Sequence, residues 1–253
     1  MKSTASDTPW LFDGANWIIG PEGNFPALIG AHLQYTFVAL AIAAVLAIPV
    51  GLYIGHTNRF AFLAINIGNA GRALPTFGLI SLLVIIMGLG ETPVMVALVV
   101  LAIPPILTST YAGLQAVDRA TVDAARGMGM RNTQVLLRVE VPIALPLIIG
   151  GFRSAALQVI ATATVAAYVG LSGLGQPLIY GLSLNQYDRV IAGGVLVAAL
   201  AIVIDLAFEA LQKYLVSPGV TGRAISQPKN QKNQSGLNET SVRDVLPATI
   251  TER

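Results

Sequence analysis

The sequence predicts an all-α fold, a polytopic membrane helical bundle with five spans. Three observations carry that expectation. Of the residues, 54% are hydrophobic and only 11% are charged, whereas a soluble domain carries roughly 25% charged residues. The apolar residues fall in long stretches rather than short alternating runs. Each stretch reaches the roughly 20 helical residues needed to cross a hydrocarbon core of about 30 Å.

Residues 1–27 read as an extracytoplasmic N-terminal segment, polar apart from Trp10, Phe12 and Trp17 and their neighbours, with Lys2 as its one basic residue. The apolar run that follows is too long for the core of a secretory signal and reads as a retained anchor. The five spans expected are Leu28 to Gly55, Phe60 to Leu89, Pro93 to Leu114, Ile143 to Val169 and Val190 to Leu215. The second is interrupted by Asn66, Asn69, Arg72 and Pro75. Proline lacks a backbone donor and clashes with the preceding turn, so a break near Pro75 is expected. That stretch reads as a kinked span, or as an interfacial helix followed by a span; six spans are the alternative count. Residues 28–216 therefore form the transmembrane domain. Residues 217–253 are polar and poor in apolar groups, and read as a disordered cytoplasmic tail.

Short loops rich in basic residues stay on the cytoplasmic side. Arg119, Arg126, Arg131 and Arg138 lie between the third and fourth spans, Arg59 follows the first, and Lys213, Arg223, Lys229, Lys232, Arg243 and Arg253 crowd the end. The connection from Gly170 to Asp188 has none. With five spans, both the charge rule and the count place the N-terminus outside and the C-terminus inside. A cytoplasmic tail makes Asn238-Glu239-Thr240 a chance match to a glycosylation acceptor.

Several chemistries are excluded. With no cysteine, there is no disulfide, thiolate nucleophile or zinc–thiolate site. His32 and His56 stand far apart without carboxylates at ligand spacing and read as helix-end residues, so no metal site is expected. The net charge of +2 and the scattered basic residues give no nucleic-acid footprint. A phosphate-cradling loop needs a lysine after its glycines, and none occurs between Lys2 and Lys213. No paired His, Cys or Ser-Lys set lies at matching depth for an intramembrane enzyme.

The loop over residues 117–142 is not an ordinary connector. Asp118 can cap a short helix through its carboxylate, and Gly127 and Gly129 are natural stop residues for it. Asn132 or Thr133 can cap a second helix, expected to end before Pro142. Ala124 and Ala125 make one face of the first helix small enough to sink into a partner's groove. The residues run Asp123-Ala124-Ala125, three residues, Gly129, nine residues, Val139, Glu140, Val141-Pro142. On physical grounds alone, two capped surface helices between spans would account for the loop.

The spacing resembles the cytoplasmic loop of permease subunits of bacterial ABC importers, which reads Glu-Ala-Ala, three residues, Gly, nine residues, Ile, one residue, Leu-Pro. Asp, Val and Val replace Glu, Ile and Leu here. The resemblance covers roughly residues 28–216 and is nearest to osmoprotectant permeases. The segments carrying it are Gly71-Arg72-Ala73-Leu74-Pro75-Thr76-Phe77, Ala125-Arg126-Gly127-Met128-Gly129-Met130, residues 138–146 and Gly170-Leu171-Ser172-Gly173-Leu174-Gly175.

That resemblance implies a type I importer permease in a bacterial cell membrane, carrying glycine betaine, choline, carnitine or proline. Methionine, another amino acid or a sulfonate is the alternative cargo, and an ion-conducting channel is the alternative of a different class. It implies that Asp123, Ala124, Ala125, Gly129, Val139, Val141 and Pro142 couple the spans to separate ATPase subunits. ATP and Mg would sit on those subunits, with no cofactor and no catalytic residue in this chain. A second permease, identical or homologous, and an extracytoplasmic substrate-binding protein complete the expected partners.

Charges inside a bilayer are costly and face partners or water. At 1.5 Å per residue, Arg153 lies roughly 15 Å into the fourth span and Asp205 roughly 14 Å from the cytoplasmic end of the fifth. Their shared depth predicts an interhelical ion pair. Glu209 and Lys213, four apart, are expected to pair at the interface. Aromatic faces hold quaternary ammonium ligands by cation–π attraction, which makes Tyr35, Tyr111 and Tyr168 candidates for passing contact with such a cargo. They read first as packing or interfacial residues, so no substrate contact is assigned.

Overall fold

The structure is a computed structural model that describes residues 24–216. The N-terminal segment up to residue 23 and the tail from residue 217 lie outside the described residues. All regular structure among the described residues is helical. In chain order, the long helix α1 (Phe25–Thr57) is followed by α2 (Ala61–Ala73), α3 (Thr76–Met87) and α4 (Glu91–Gln115). Next come α5 (Arg119–Gly127), α6 (Asn132–Val135), a π-helical turn (Leu136–Glu140) and α7 (Val141–Ala163). A 3₁₀ segment (Thr164–Val169), α8 (Gly175–Ser183) and α9 (Tyr187–Leu215) complete the bundle.

Four segments are long and apolar enough to cross a membrane: α1, α4, the continuous stretch Asn132–Val169, and α9. The expected second span is broken. Its halves, α2 and α3, meet at 93°, and the turn falls at Leu74-Pro75, both in extended backbone. Pro75 has no amide hydrogen for a continuing helix and disfavours the helical region for Leu74. Counted as one, the pair makes a fifth crossing. The sixth finds no counterpart, because α3 alone reaches only about 18 Å at 1.5 Å per residue.

Helix α4 sits at the centre, packed against α1, α2, α3 and α7. Lipid and apolar side chains differ little, so helices in membranes associate through close packing at small residues. On α1 the stripe Ala39, Ala43, Ala47, Gly51, Gly55 repeats every four residues and is buried. A Cβ on Gly51 would lie 2.8 Å from Thr110 Cβ and 3.1 Å from the Leu107 carbonyl oxygen. Gly151 of α7 meets Ser109 and the Pro105 carbonyl in the same way. Gly68 and Gly71 bring α2 against Thr108 and Pro104.

His32 corrects one expectation. It is not a helix-end residue but is fully buried within α1, where its Nε2 lies 3.0 Å from the Ile160 carbonyl oxygen and ties α1 to α7. The surface of α9 is apolar and uncovered. Val195, Ile202, Val203 and Leu206 of α9 are all exposed, which suits a face toward hydrocarbon.

Candidate functional site

The loop between α4 and α7 is built by its own capping groups. Asp118 accepts from the Ala120 amide at 3.1 Å and starts α5. At the other end Met130 N donates to the Ala125 carbonyl at 3.2 Å, over Gly129 at φ +84°. That left-handed residue closes the last turn as glycine does most readily. Ala125 faces inward and is buried, while Asp123, Ala124 and Gly129 are exposed. Asp123 makes only an exposed contact to Arg126, at 3.9 Å.

The second helix of the loop departs from the sequence reading in two ways. Its N-cap is Arg131 rather than Asn132 or Thr133, and the Gln134 side chain accepts from the Arg131 amide at 2.8 Å. Nor does it end before Pro142. It widens into the π-helical turn and runs on into α7, leaving Pro142 in the first turn of that helix. The wider turn changes the backbone pairing just where proline supplies no donor, so the chain continues without a break. Val139 and Val141 are half-buried on this bridge, and Pro142 is exposed.

Behind the loop, at the ends of α1 and α4, lies a polar cavity of about 330 Å³. Two contacts fasten its wall. His56 Nδ1 is 2.6 Å from Glu140 Oε2, and the Gln115 amide donates to the Gly55 carbonyl at 3.0 Å. Glu140 is only 6% exposed, so its carboxylate depends on this partner. The end of the loop that runs on into α7 is thereby fastened to the first span at Glu140, and α4 is fastened to the same span at Gln115, where the loop begins. The sequence reading missed this joint. His56 and Glu140 are 84 positions apart, and no local pattern links them.

Within the bundle, the structure brings Arg153 of α7 and Asp205 of α9 together: the guanidinium donates through Nε and Nη2 to both carboxylate oxygens. Glu209 and Lys213 meet at 2.8 Å on the surface of α9. A second polar cavity, of about 210 Å³, opens between α2, α4 and α7 and is lined by Thr108, Ser109, Ser154 and Gln158 beside Pro104 and Pro105.

An exposed, capped helix thus stands on a continuous helical bridge between apolar spans. Residues 47–217 match the family described as binding-protein-dependent transport system inner membrane components. The chain belongs to this family. Three relatives extend the likeness over most of the permease. One is the glycine betaine/carnitine/choline transport system permease protein OpuCB of Bacillus subtilis, 31% identical over 76% of this chain and 89% of the relative. A second is the carnitine transport permease protein OpuCB of Listeria monocytogenes, 32% identical over 74% and 85%. A third is the osmoprotectant import permease protein OsmY of Salmonella typhimurium, 34% identical over 69% and 75%.

Solved structures agree on the fold. The permease resembles a chain of the inward-facing MetNI methionine ABC transporter, with TM-score 0.64 at 23% identity, covering 76% of this chain and 95% of that one. It also resembles a chain of an amino acid ABC transporter solved with histidines, with TM-score 0.56 at 22% identity over 75% and 91%. The architecture is that of type I ABC importer permeases, and the protein is embedded in the membrane as the permease subunit of a transport system.

Proposed function

We propose that this permease imports an osmoprotectant of the glycine betaine, choline or carnitine class, proline included, using ATP hydrolysed on separate subunits. What supports this cargo is the shared naming of relatives about one-third identical over most of the chain. The likeness to methionine and other amino acid transporters is a likeness of fold, so it does not argue for those cargoes.

In this reading the exposed Ala124 face of α5 seats in a groove of an ATPase subunit, with Asp123 and Gly129 setting its ends. Closure of two such subunits around ATP and Mg displaces α5. The displacement reaches α7 through the continuous π-helical bridge and α1 through the His56–Glu140 and Gln115–Gly55 contacts. A second permease, identical or homologous, forms the other wall of the path, and an extracytoplasmic binding protein delivers the cargo. The permease itself catalyses nothing. Its C-terminus and the loop lie in the cytoplasm of a bacterial cell, and its N-terminus lies outside.

The deciding experiment reconstitutes the permease with its ATPase and binding protein in vesicles and follows labelled glycine betaine, choline, proline and methionine. ATP-dependent accumulation of the first three, without methionine, is expected. Methionine accumulation alone would replace the cargo. Ion flux without ATP would replace the class.

A further inference from the structure

We propose that Ser154, Gln158 and Tyr168, with Ser109 and Phe77 beside them, form the face along which the cargo passes, its outer end an aromatic contact for a methylated ammonium group. The proposal rests on the osmoprotectant reading above and names the residues that would meet that cargo.

Positions 154, 158, 161, 165 and 168 follow the i, i+4, i+7 spacing of one helix face, and the face continues from α7 into the 3₁₀ segment. Ser154, Ala161 and Tyr168 on it are exposed, and Gln158 is half-exposed. The flanking positions 155, 156, 159, 160, 166 and 167 are buried in the bundle. The fully exposed positions thus share one face, interrupted only at Val165, which packs against the core.

Its inner half is polar where lipid would not tolerate it. Ser154 and Gln158 border the cavity between α2, α4 and α7, opposite Thr108 and Ser109. The Thr108 hydroxyl is engaged by the Pro104 carbonyl at 2.8 Å. Among the described residues the Gln158 amide and the Ser109 and Ser154 hydroxyls have no hydrogen-bond partner. Unpartnered polar groups facing hydrocarbon cost several kcal/mol each, so this face meets water and whatever water carries. The adjacent Arg153 does not repel a cation from it, because its charge is matched by Asp205.

The outer half is aromatic. Tyr168 and Phe77 are 64% and 50% exposed, with ring centroids 5.2 Å apart and planes at 88°. Phe77 is held there by the break at Pro75, which turns α3 toward the 3₁₀ segment. Two crossed, uncovered rings offer a π face and an edge on one wall, and the π face attracts a cation whose methyl groups shed water easily. Contact with one wall stays weak, as a passage requires. The serines and glutamine lie about 15 Å or more further along the face at 1.5 Å per residue and can accept from or donate to a carboxylate or hydroxyl of the cargo later in its passage.

The chain contains no cysteine, so single substitutions report directly. In vesicles holding the complete transporter, Ser154→Cys and Gln158→Cys are expected to react with a trimethylammonium-bearing thiosulfonate. Glycine betaine supplied with binding protein and ATP should protect them, while Val203→Cys on the apolar face of α9 stays unreactive. Tyr168→Leu and Phe77→Leu should each lower glycine betaine carried per ATP by roughly tenfold, while Tyr168→Phe remains within about twofold of the wild type because the ring is kept. Ring loss without loss of transport per ATP, or Gln158→Cys as inert as Val203→Cys, would overturn the proposal. The two arms are independent, so a leucine variant that fails to assemble leaves the labelling to decide. A wild type that labels and is protected by another cargo, but moves no methylated ammonium, would instead refute the osmoprotectant reading and with it the aromatic contact.

Discussion

Helices α4 and α5 are separated by three residues and are opposites in every physical respect. Thirteen of the 25 residues of α4 are buried, whereas Ala125 is the one buried residue among the nine of α5. Packing against α1, α2, α3 and α7 holds α4, so its sequence can include Pro104 and Pro105 without losing the helix. The Asp118 cap, the Gly129 turn and the single buried Ala125 are what hold α5. A change in α4 is therefore felt as stability and, under the proposed function, a change on the outer face of α5 as coupling. Four substitutions, from the α1 glycine packed on α4, through the joint at His56, to the turn and outer face of α5, test that division in order of expected effect on thermal unfolding in detergent.

Gly51→Val puts a branched side chain where even a Cβ would crowd Thr110 and the Leu107 carbonyl. Overpacking of this kind should cost about 3 kcal/mol, seen as a lowered unfolding temperature. His56→Ala removes the partner of the buried Glu140 carboxylate. It should cost about 2 kcal/mol, since an unsatisfied buried acceptor loses its solvation without compensation. It should also lower cargo moved per ATP, because the joint between the loop and α1 is cut.

Gly129→Ala forces a side chain into the left-handed region at φ +84° and should cost about 1 kcal/mol. Ala124→Arg lies on the exposed face of α5 and should leave stability within about 0.5 kcal/mol. Under the proposed function, uptake in vesicles should nonetheless be lost, as a large charged group would not seat against the ATPase. If Ala124→Arg unfolded the protein, or Gly51→Val did not weaken it, the division between the two helices would fail.

The same contrast explains what could be read from the sequence. Apolar length located α1, α4, α7 and α9, because crossing a bilayer demands it of each helix separately. Local chemistry located the ends of α5, because Asp118 and Gly129 act on backbone within a turn. Pro75 announced a break, but the 93° angle between α2 and α3 depends on how Gly68 and Gly71 pack against α4, a tertiary matter. Arg153 and Asp205 were legible as partners since charges in a membrane have few alternatives. His56 and Glu140 were not, because near the aqueous face either could have been solvated. The π-helical turn was hidden for a related reason: Pro142 signals an end, and only the continuing packing of α7 overrides it.

The central claim is that residues 117–142 are the handle by which a separate ATPase drives the spans. It is tested most directly by Met128→Cys, at a position 77% exposed at the end of α5. In cells carrying the complete transporter, a membrane-impermeant maleimide should leave this variant unlabelled from outside. It should label it in inside-out vesicles stripped of the ATPase, and bound ATPase should block that labelling. Labelling from outside in intact cells, or labelling indifferent to the ATPase, would contradict the account.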